Sequence, residues 1–368
     1  MKISRIAQVG AVAAIAALAL AGCASNETAS GDAPTASEGP ALTGTLNGSG
    51  ATSQQVAVQA WTAEFQGANP DVTVNYDPQG SGTGRESFQS GAVQFAGSDR
   101  AFKAEEIEAG PFDACVEGSD LVEIPAYVSP IAIAFNLEGV DSLDLDPATI
   151  AGIFAGTITN WNDPAIAATN DGVTLPDLAI TPVHRSDKSG TTANFTDYLA
   201  QTAESVWTYG SVEEWPIQGG EAAQGTSGVV NAIKGGQGTI GYADASKAGT
   251  LGVASIKVGD AWAAPSAEGA ATALSTSTVA SVNGENDLAY KIDRTTTEAG
   301  AYPLFLLSYA VVCQTYTDAA TKANVTGFLS YVASAEGQQA AASAAGSAPL
   351  PADLSTKIES ILADIAAK

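Results

Sequence analysis

Ala179-Ile180-Thr181-Pro182-Val183-His184-Arg185-Ser186-Asp187-Lys188-Ser189-Gly190-Thr191 passes from an apolar run through a short polar loop into a helical pattern. Ala179 to His184 reads as a strand, and Ser189 to Leu199 as a helix opened by a serine in a capping position. A strand that ends in hydroxyl and glycine residues at a helix N-terminus gathers unpaired amides at one point, backed by the positive end of the helix dipole. Such a terminus holds an anion without needing many cationic side chains. Arg185 adds a planar fork suited to two oxygens of a tetrahedral anion.

Three other segments repeat the design: Gly48-Ser49-Gly50-Ala51-Thr52-Ser53, Gly80-Ser81-Gly82-Thr83-Gly84 and Gly97-Ser98-Asp99. Taken singly, each reads as a turn. Around them, Val72 to Tyr76, Val93 to Gly97, Ile124 to Asn136 and Gly238 to Ala243 read as strands. Thr52 to Phe65, Ser227 to Lys234, Thr317 to Ala333 and Asp353 to Ala366 read as helices, and Asp146-Pro147 as a cap followed by proline at the first helical position. Alternating strands and helices predict an α/β fold with mostly parallel sheets and ligands at strand C-terminal ends. No solenoid repeat is present.

Asp99 discriminates among anions. A carboxylate aimed at an anion is repulsive unless the anion donates a proton to it; phosphate at neutral pH carries one and sulfate does not. Asp187, two residues after Arg185, is expected to steer the guanidinium rather than touch a ligand.

Across 368 residues, Lys and Arg number 15 against 40 for Asp and Glu, a formal charge of -25. That balance excludes a nucleic-acid footprint. Acidic residues are scattered rather than set at metal-ligand spacing, and the single His gives no basis for a metal centre. No metal or cofactor is expected. The length suggests two domains.

Lys2 and Arg5, the apolar run Val9 to Leu20 and the small residues after it form a secretory signal over 1–22, too short for a comfortable membrane span. Leu20-Ala21-Gly22-Cys23 resembles the lipobox of bacterial lipoproteins, which implies lipidation at Cys23; an ordinary signal with an incidental cysteine is the alternative. Residues 23–42, rich in Ala, Ser, Thr, Gly and Pro, read as a tether. Cys115 and Cys313 then form an even pair outside the reducing cytosol. A disulfide between them is expected, with two buried free thiols as the alternative.

Together and in this order, the four clusters resemble the phosphate-binding proteins of the high-affinity phosphate ABC importer, in the periplasmic binding protein superfamily. The similarity begins near Leu46 and includes the stretch from Ile153 to Ile166, with Thr159-Asn160-Trp161-Asn162 at its centre, and Ile240-Gly241-Tyr242-Ala243. It implies a type II fold: two α/β lobes, crossover strands as a hinge, and a ligand cleft between the lobes. Lobe I would comprise 43–125 plus 305–368 and lobe II 126–304, with crossings near Ile124 to Val128 and Tyr302 to Leu306. Both cysteines then fall in one lobe, which favours the bridge because a link between lobes would hinder hinge motion.

The resemblance implies phosphate contacts from the Thr52 hydroxyl, the Ser53 amide, Ser81, the proton-accepting Asp99, Arg185, and Ser189, Gly190 and Thr191. Ser53, where an aromatic is usual, and Lys188, where glycine is common, depart from the pattern; Lys188 adds a positive charge near the anion. Trp161, Phe154 and Tyr242 are expected in the core, and His184 in a structural role. The implied partners are inorganic phosphate and importer permease subunits with an ATPase, with membrane contact through the lipid anchor alone and a monomeric chain. Two alternatives stay open: a binder of another tetrahedral oxyanion, and a phosphate-ester hydrolase, for which no serine with a positioned base stands out.

Overall fold

The computed structural model describes residues 42–368. The signal over 1–22, Cys23 and the tether up to residue 41 lie outside the described residues. Leu42 packs on the core against Gly327.

The N-terminal third lays down β1 (Gly44–Gly50), α1 (Gln55–Ala68), β2 (Val72–Asp77), α2 (Ser81–Gln89), β3 (Phe95–Ser98) and α3 (Ala104–Ala109). β4 (Leu121–Asn136) then follows, 16 residues long. β5 (Ser142–Leu145), α4 (Pro147–Phe154), α5 (Pro164–Ala167), β6 (Thr181–Arg185), α6 (Gly190–Thr202), β7 (Glu221–Ala223), α7 (Gly225–Gly235), β8 (Thr239–Asp244), β9 (Gly252–Val258) and β10 (Ala261–Ala263) follow. After α8 (Ala267–Ser275) and the short pair β11 (Thr278–Val279) and β12 (Tyr290–Lys291), β13 (Phe305–Cys313) returns beside β4. Short strands β14 (Thr315–Tyr316) and β15 (Ala366–Ala367) bracket α9 (Ala319–Ala333), α10 (Ala335–Ala345) and α11 (Ala352–Asp364).

The main sheet has the order β2-β1-β3-β13-β4-β8-β6-β7. The expectation of mostly parallel sheets holds away from the centre, where β1 joins β2 and β3, β6 joins β7 and β8, and β5 joins β9 in parallel. The centre is antiparallel, because β4 carries the chain out and β13 brings it back: β13 pairs with β3 and β4, and β4 with β8. Every residue of β13, and all of β4 but its last, is buried, as continuous apolar runs in a doubly covered sheet require. β4 starts three residues earlier than its apolar pattern suggests, because Glu123 is buried with Oε1 accepting the Phe102 amide at 2.7 Å.

β4 divides between separate cores. Val122, Ile124 and Val128 join Leu46, Trp61, Phe65 and Phe328 in the first; Ile131, Ile133 and Phe135 join Phe154, Trp161, Phe195 and Tyr242 in the second. Ala132 and Ala134, on the other face of the strand, pack with Val229 and Ile233 beneath α7. Ala270, Ala273, Leu288, Ile292 and Ala301 belong to the first core, although the expected span of lobe II includes them. α8 packs on β4, so the chain re-enters the first core well before β13.

Cys115 and Cys313 form a disulfide, with Cα atoms 5.4 Å apart, inside the first core. It closes a separation of 198 residues. Replacing both cysteines by alanine is expected to cost roughly 2–5 kcal/mol, by releasing the unfolded chain from that loop. Calorimetry of the double variant would register this as a lowered melting temperature.

Candidate functional site

The predicted clusters converge where the ends of β1, β3 and β6 meet the N-terminus of α6. Asp99, one residue beyond β3, is 3% exposed. Its Oδ1 accepts from the Ser53 hydroxyl at 2.7 Å and the Ser308 hydroxyl at 2.7 Å; its Oδ2 accepts from Ser53 at 2.8 Å and from Thr191 at 3.1 Å. The Asp99 amide donates to Ser81 Oγ at 3.1 Å. Burial pushes the Asp99 carboxyl up from its ordinary value, opposed by the hydroxyls of Ser53, Ser308 and Thr191 and by the charge of Arg185.

Ser308 has no counterpart in the sequence reading. Its placement follows from an irregularity in the central pair: Ser308 faces Tyr127 while Tyr309 faces Pro125, so Ala126 is an extra residue on β4. A bulge of this kind breaks strict alternation and re-aims a side chain, here toward Asp99.

Arg185, 3% exposed, ends β6. Its Nε donates to Asp187 Oδ1 at 2.8 Å and its Nη2 pairs with Oδ2, which leaves the Nη1 side of the fork outside this pair. Asp187 also accepts from the Gly225 amide at 3.1 Å. Although burial pushes its carboxyl up, the guanidinium outweighs burial and holds it below its ordinary value. The Arg185 amide lies 3.4 Å from the Tyr242 hydroxyl, which is 2.7 Å from Thr192 Oγ1. Tyr242 is therefore a core residue that also braces the site. Phe154 and Trp161 are core residues, and Trp161 donates from its ring to the Gly238 carbonyl at 3.0 Å.

Ser189 caps α6, its hydroxyl accepting from the Thr192 amide at 3.1 Å. Gly190 and Thr191 are the first two residues of the helix, and their amides have no intrahelical acceptor. Thr52 stands apart from Asp99: its hydroxyl is 3.0 Å from Thr226 Oγ1 and accepts from the Thr226 amide at 3.0 Å. Lys188 does not add its charge to the anion-facing loop, because its exposed side chain turns to Glu86 at 2.6 Å. His184 directs its ring nitrogens at the carbonyls of Arg185 and Gly219, at 3.0 and 3.2 Å, and stacks on Trp215.

The residues that pack in the two cores meet tightly here. The Gly82 amide donates to the Lys188 carbonyl at 3.1 Å. A Cβ added at Gly190 would lie 2.5 Å from Ser81 Oγ and 2.6 Å from Asp99 Cβ. At Gly80, with φ +105°, it would lie 2.5 Å from Asp187 Oδ2.

Beside the cluster lies an ion-pair group that sequence reading missed. Glu213 pairs with Arg85 at 2.8 Å and Arg100 at 2.5 Å, and Arg100 pairs with Glu106 at 2.6 Å. Burial raises the Glu106 carboxyl, but Arg100, the Lys103 amide and, last, Arg85 bring it down to about 2. No motif announces these partners, since the Arg85–Glu213 pair spans 128 positions.

The model of the PBP superfamily domain matches residues 34–336. Phosphate-binding protein PstS 3 of Mycobacterium leprae is 37% identical over 326 residues, covering 84% of this chain and 86% of that protein. The chain belongs to the PstS family within the PBP superfamily. Phosphate-binding protein PstS 2 of Mycobacterium tuberculosis is 35% identical over 322 residues, covering 85% of each chain. Among solved structures, a phosphate-bound high-affinity periplasmic phosphate-binding protein, PfluDING, superposes with TM-score 0.67 at 23% identity, covering 86% of this chain and 93% of that one. The phosphate-binding protein from Stenotrophomonas maltophilia gives 0.65 at 22%, with the same coverage. At those identities the structures establish the two-lobed type II fold.

Two outcomes test the family site. Asp99 has a folded-state pKa above its unfolded one, so its contribution to stability is present below the unfolded value and lost as pH rises through the folded one. Ligand-free Asp99→Asn is therefore expected to melt above wild type at pH above that folded-state value, the gap closing as acid protonates the wild-type carboxyl; calorimetry over a pH series reads this. Gly190→Ala is expected to leave folding intact while weakening anion binding, because its new methyl meets groups from the opposite core. Equal anion affinity in wild type and Gly190→Ala would remove the close approach from the mechanism.

Proposed function

We propose that this chain captures inorganic phosphate between its two lobes, without chemical change, and hands it to an ABC importer. The observation that carries this reading is the buried Asp99, set among Ser53, Ser308 and Thr191 with the charge of Arg185 acting on it. An ionised carboxylate there accepts from the proton of hydrogen phosphate, and confronts sulfate with an unpaired like charge in a dry site. The membership in the PstS family supports the ligand, since its relatives bear phosphate-binding names.

In this reading the Ser53 amide, Ser81, Ser189 and the amides of Gly190 and Thr191 donate to phosphate oxygens, and Arg185 presents its free edge, held by Asp187. Thr52 contributes from the first loop while bridging to Thr226. Lobe I takes 43–125 and 305–368 and lobe II most of 126–304, with 267–301 counted with lobe I because its buried residues join the first core. Phosphate enters an open cleft, and closure is favoured by donors that come together only when the lobes meet.

Residues 1–22 serve as the signal and Cys23 as the lipidated anchor, so a monomeric binding domain works outside the cytoplasm on a tether. Among the described residues no helix is long and apolar enough to cross a membrane. Catalysis has little support: the Ser189 hydroxyl is spent as a helix cap, and His184 is turned to backbone carbonyls.

Titration calorimetry on purified protein stripped of bound anion tests the reading. One phosphate is expected to bind per chain, with sulfate weaker by a factor on the order of 10⁴, and Asp99→Ala should bind phosphate far more weakly than wild type. Equal heats for the two anions would defeat the role given to Asp99. Hydrolysis of a phosphate ester that disappears in Ser189→Ala would replace binding with catalysis.

A further inference from the structure

The Ser53 side chain has a feature that its expected amide role does not use. Ser53 is completely buried, and its hydroxyl reaches both carboxylate oxygens of Asp99, at 2.7 and 2.8 Å. Ser308 holds Oδ1 at 2.7 Å. Ser53 lies just beyond β1 and Ser308 on β13, which pairs with β3 ahead of Asp99, so both belong to the same side of the molecule as the carboxylate. Thr191 reaches Oδ2 at the longer distance of 3.1 Å from α6, whose side chains pack in the second core, so its bond is the one that closure makes.

A carboxylate accepts about four hydrogen bonds. Oδ1 takes the Ser308 bond and one arm of the shared Ser53 bond, and Oδ2 takes the longer Thr191 bond and the other arm, so the carboxylate keeps capacity for a ligand proton. We infer that Ser53 is a specificity-determining residue: its hydroxyl, bridging both oxygens, fixes the plane in which the Asp99 carboxylate is presented to a protonated tetrahedral oxyanion. This rests on the phosphate reading for the identity of the ligand, but not for the Ser53–Asp99 bond.

The same bond opposes the upward push of burial on the Asp99 carboxyl, and Ser53 is the foremost of the hydroxyls that do so. The other groups facing Asp99 leave it this role. Arg185, from β6, is a fixed cation already shared with Asp187. Tyr76 from β2 and Tyr127 from β4 are phenols that burial keeps neutral, reinforced by Asp99 at Tyr76 and chiefly by Asp244 at Tyr127. Across an adjoining cavity of about 240 Å³, Arg100 is paired with Glu106 and Glu213, and Arg294 with Asp197. Lys291, exposed, and the tyrosines 290 and 309 complete that wall.

The test compares the full-length protein with Ser53→Ala and Ser53→Thr, using phosphate and sulfate as probes, and follows the Asp99 carboxyl carbon by NMR in the ligand-free state. Ser53→Ala is expected to lose about tenfold in phosphate affinity and in preference over sulfate, and to titrate Asp99 at higher pH than wild type. Ser53→Thr, which keeps the hydroxyl, is expected to restore both. An alanine variant with wild-type preference and wild-type Asp99 titration overturns the assignment. If wild type binds no phosphate, the functional reading fails, and the Asp99 titration then decides the Ser53 bond by itself. Should the alanine variant not fold, Ser53→Cys, with its weak S–H donor, carries the same expectations.

Discussion

A carboxylate withdrawn from water is costly unless donors replace its hydration. Asp99 meets that condition with hydroxyls drawn from the first loop, the returning central strand and the helix that opens after β6. Supplying those donors dictates much of the surrounding backbone. β3 must stop at Ser98 so that Asp99 turns inward, β13 must lie directly beside β3, and the register opposite β4 must slip at Ala126 so that Ser308 rather than a neighbour faces the carboxylate. The antiparallel centre of the sheet is thus a requirement of the site as much as of the core. A wholly parallel arrangement would bring no returning strand past Asp99.

The same carboxylate couples the two cores. Thr191 donates to it from α6, and the Asn194 side chain, one turn further on, donates to the Asp99 carbonyl at 2.6 Å and to the Gly190 carbonyl at 2.9 Å. Asn194 is in turn held by the buried Arg294, which also donates to the carbonyls of Pro303 and Phe305 at the approach to β13. A path of direct hydrogen bonds therefore runs from the anion-facing helix to the crossing strands. Were the cores to separate, the bonds of Asp99 to α6 would break before those to Ser53 and Ser308, which come from its own side.

The convergence of the candidate site residues was largely legible in sequence because its parts are local. Strand, glycine-and-hydroxyl loop and helix start lie within a few residues of one another, and helix-terminal physics fixes what such a run presents. Asp187 beside Arg185 is legible for the same reason. Ser308, Glu213 and Asn194 were not, since each reaches the site through a contact of long sequence separation that no spacing rule reveals. Lys188 was read by its position in the loop, and its side chain instead follows the attraction of Glu86 across the surface. The second boundary between lobes was placed by the apolar strand near Tyr302, whereas α8 and the segment after it carry small apolar residues whose destination only the packing decides.

That an acidic chain of charge -25 should favour an anion follows from the scale on which the forces act. Surface carboxylates are screened beyond roughly 8–10 Å at physiological salt, so their repulsion is weak inside a closed cleft. Within the cleft the cations are matched in place: Arg185 by Asp187, Arg85 and Arg100 by Glu213 and Glu106. Matched pairs contribute directed N–H groups and dipoles without a large net positive field, and the amides at the start of α6 do the same. Recognition then depends on geometry and proton count more than on charge. Under the phosphate reading proposed above, such a site would hold a hydrogen-bearing anion while gathering few others, with the acceptor strength of Asp99 setting the selectivity.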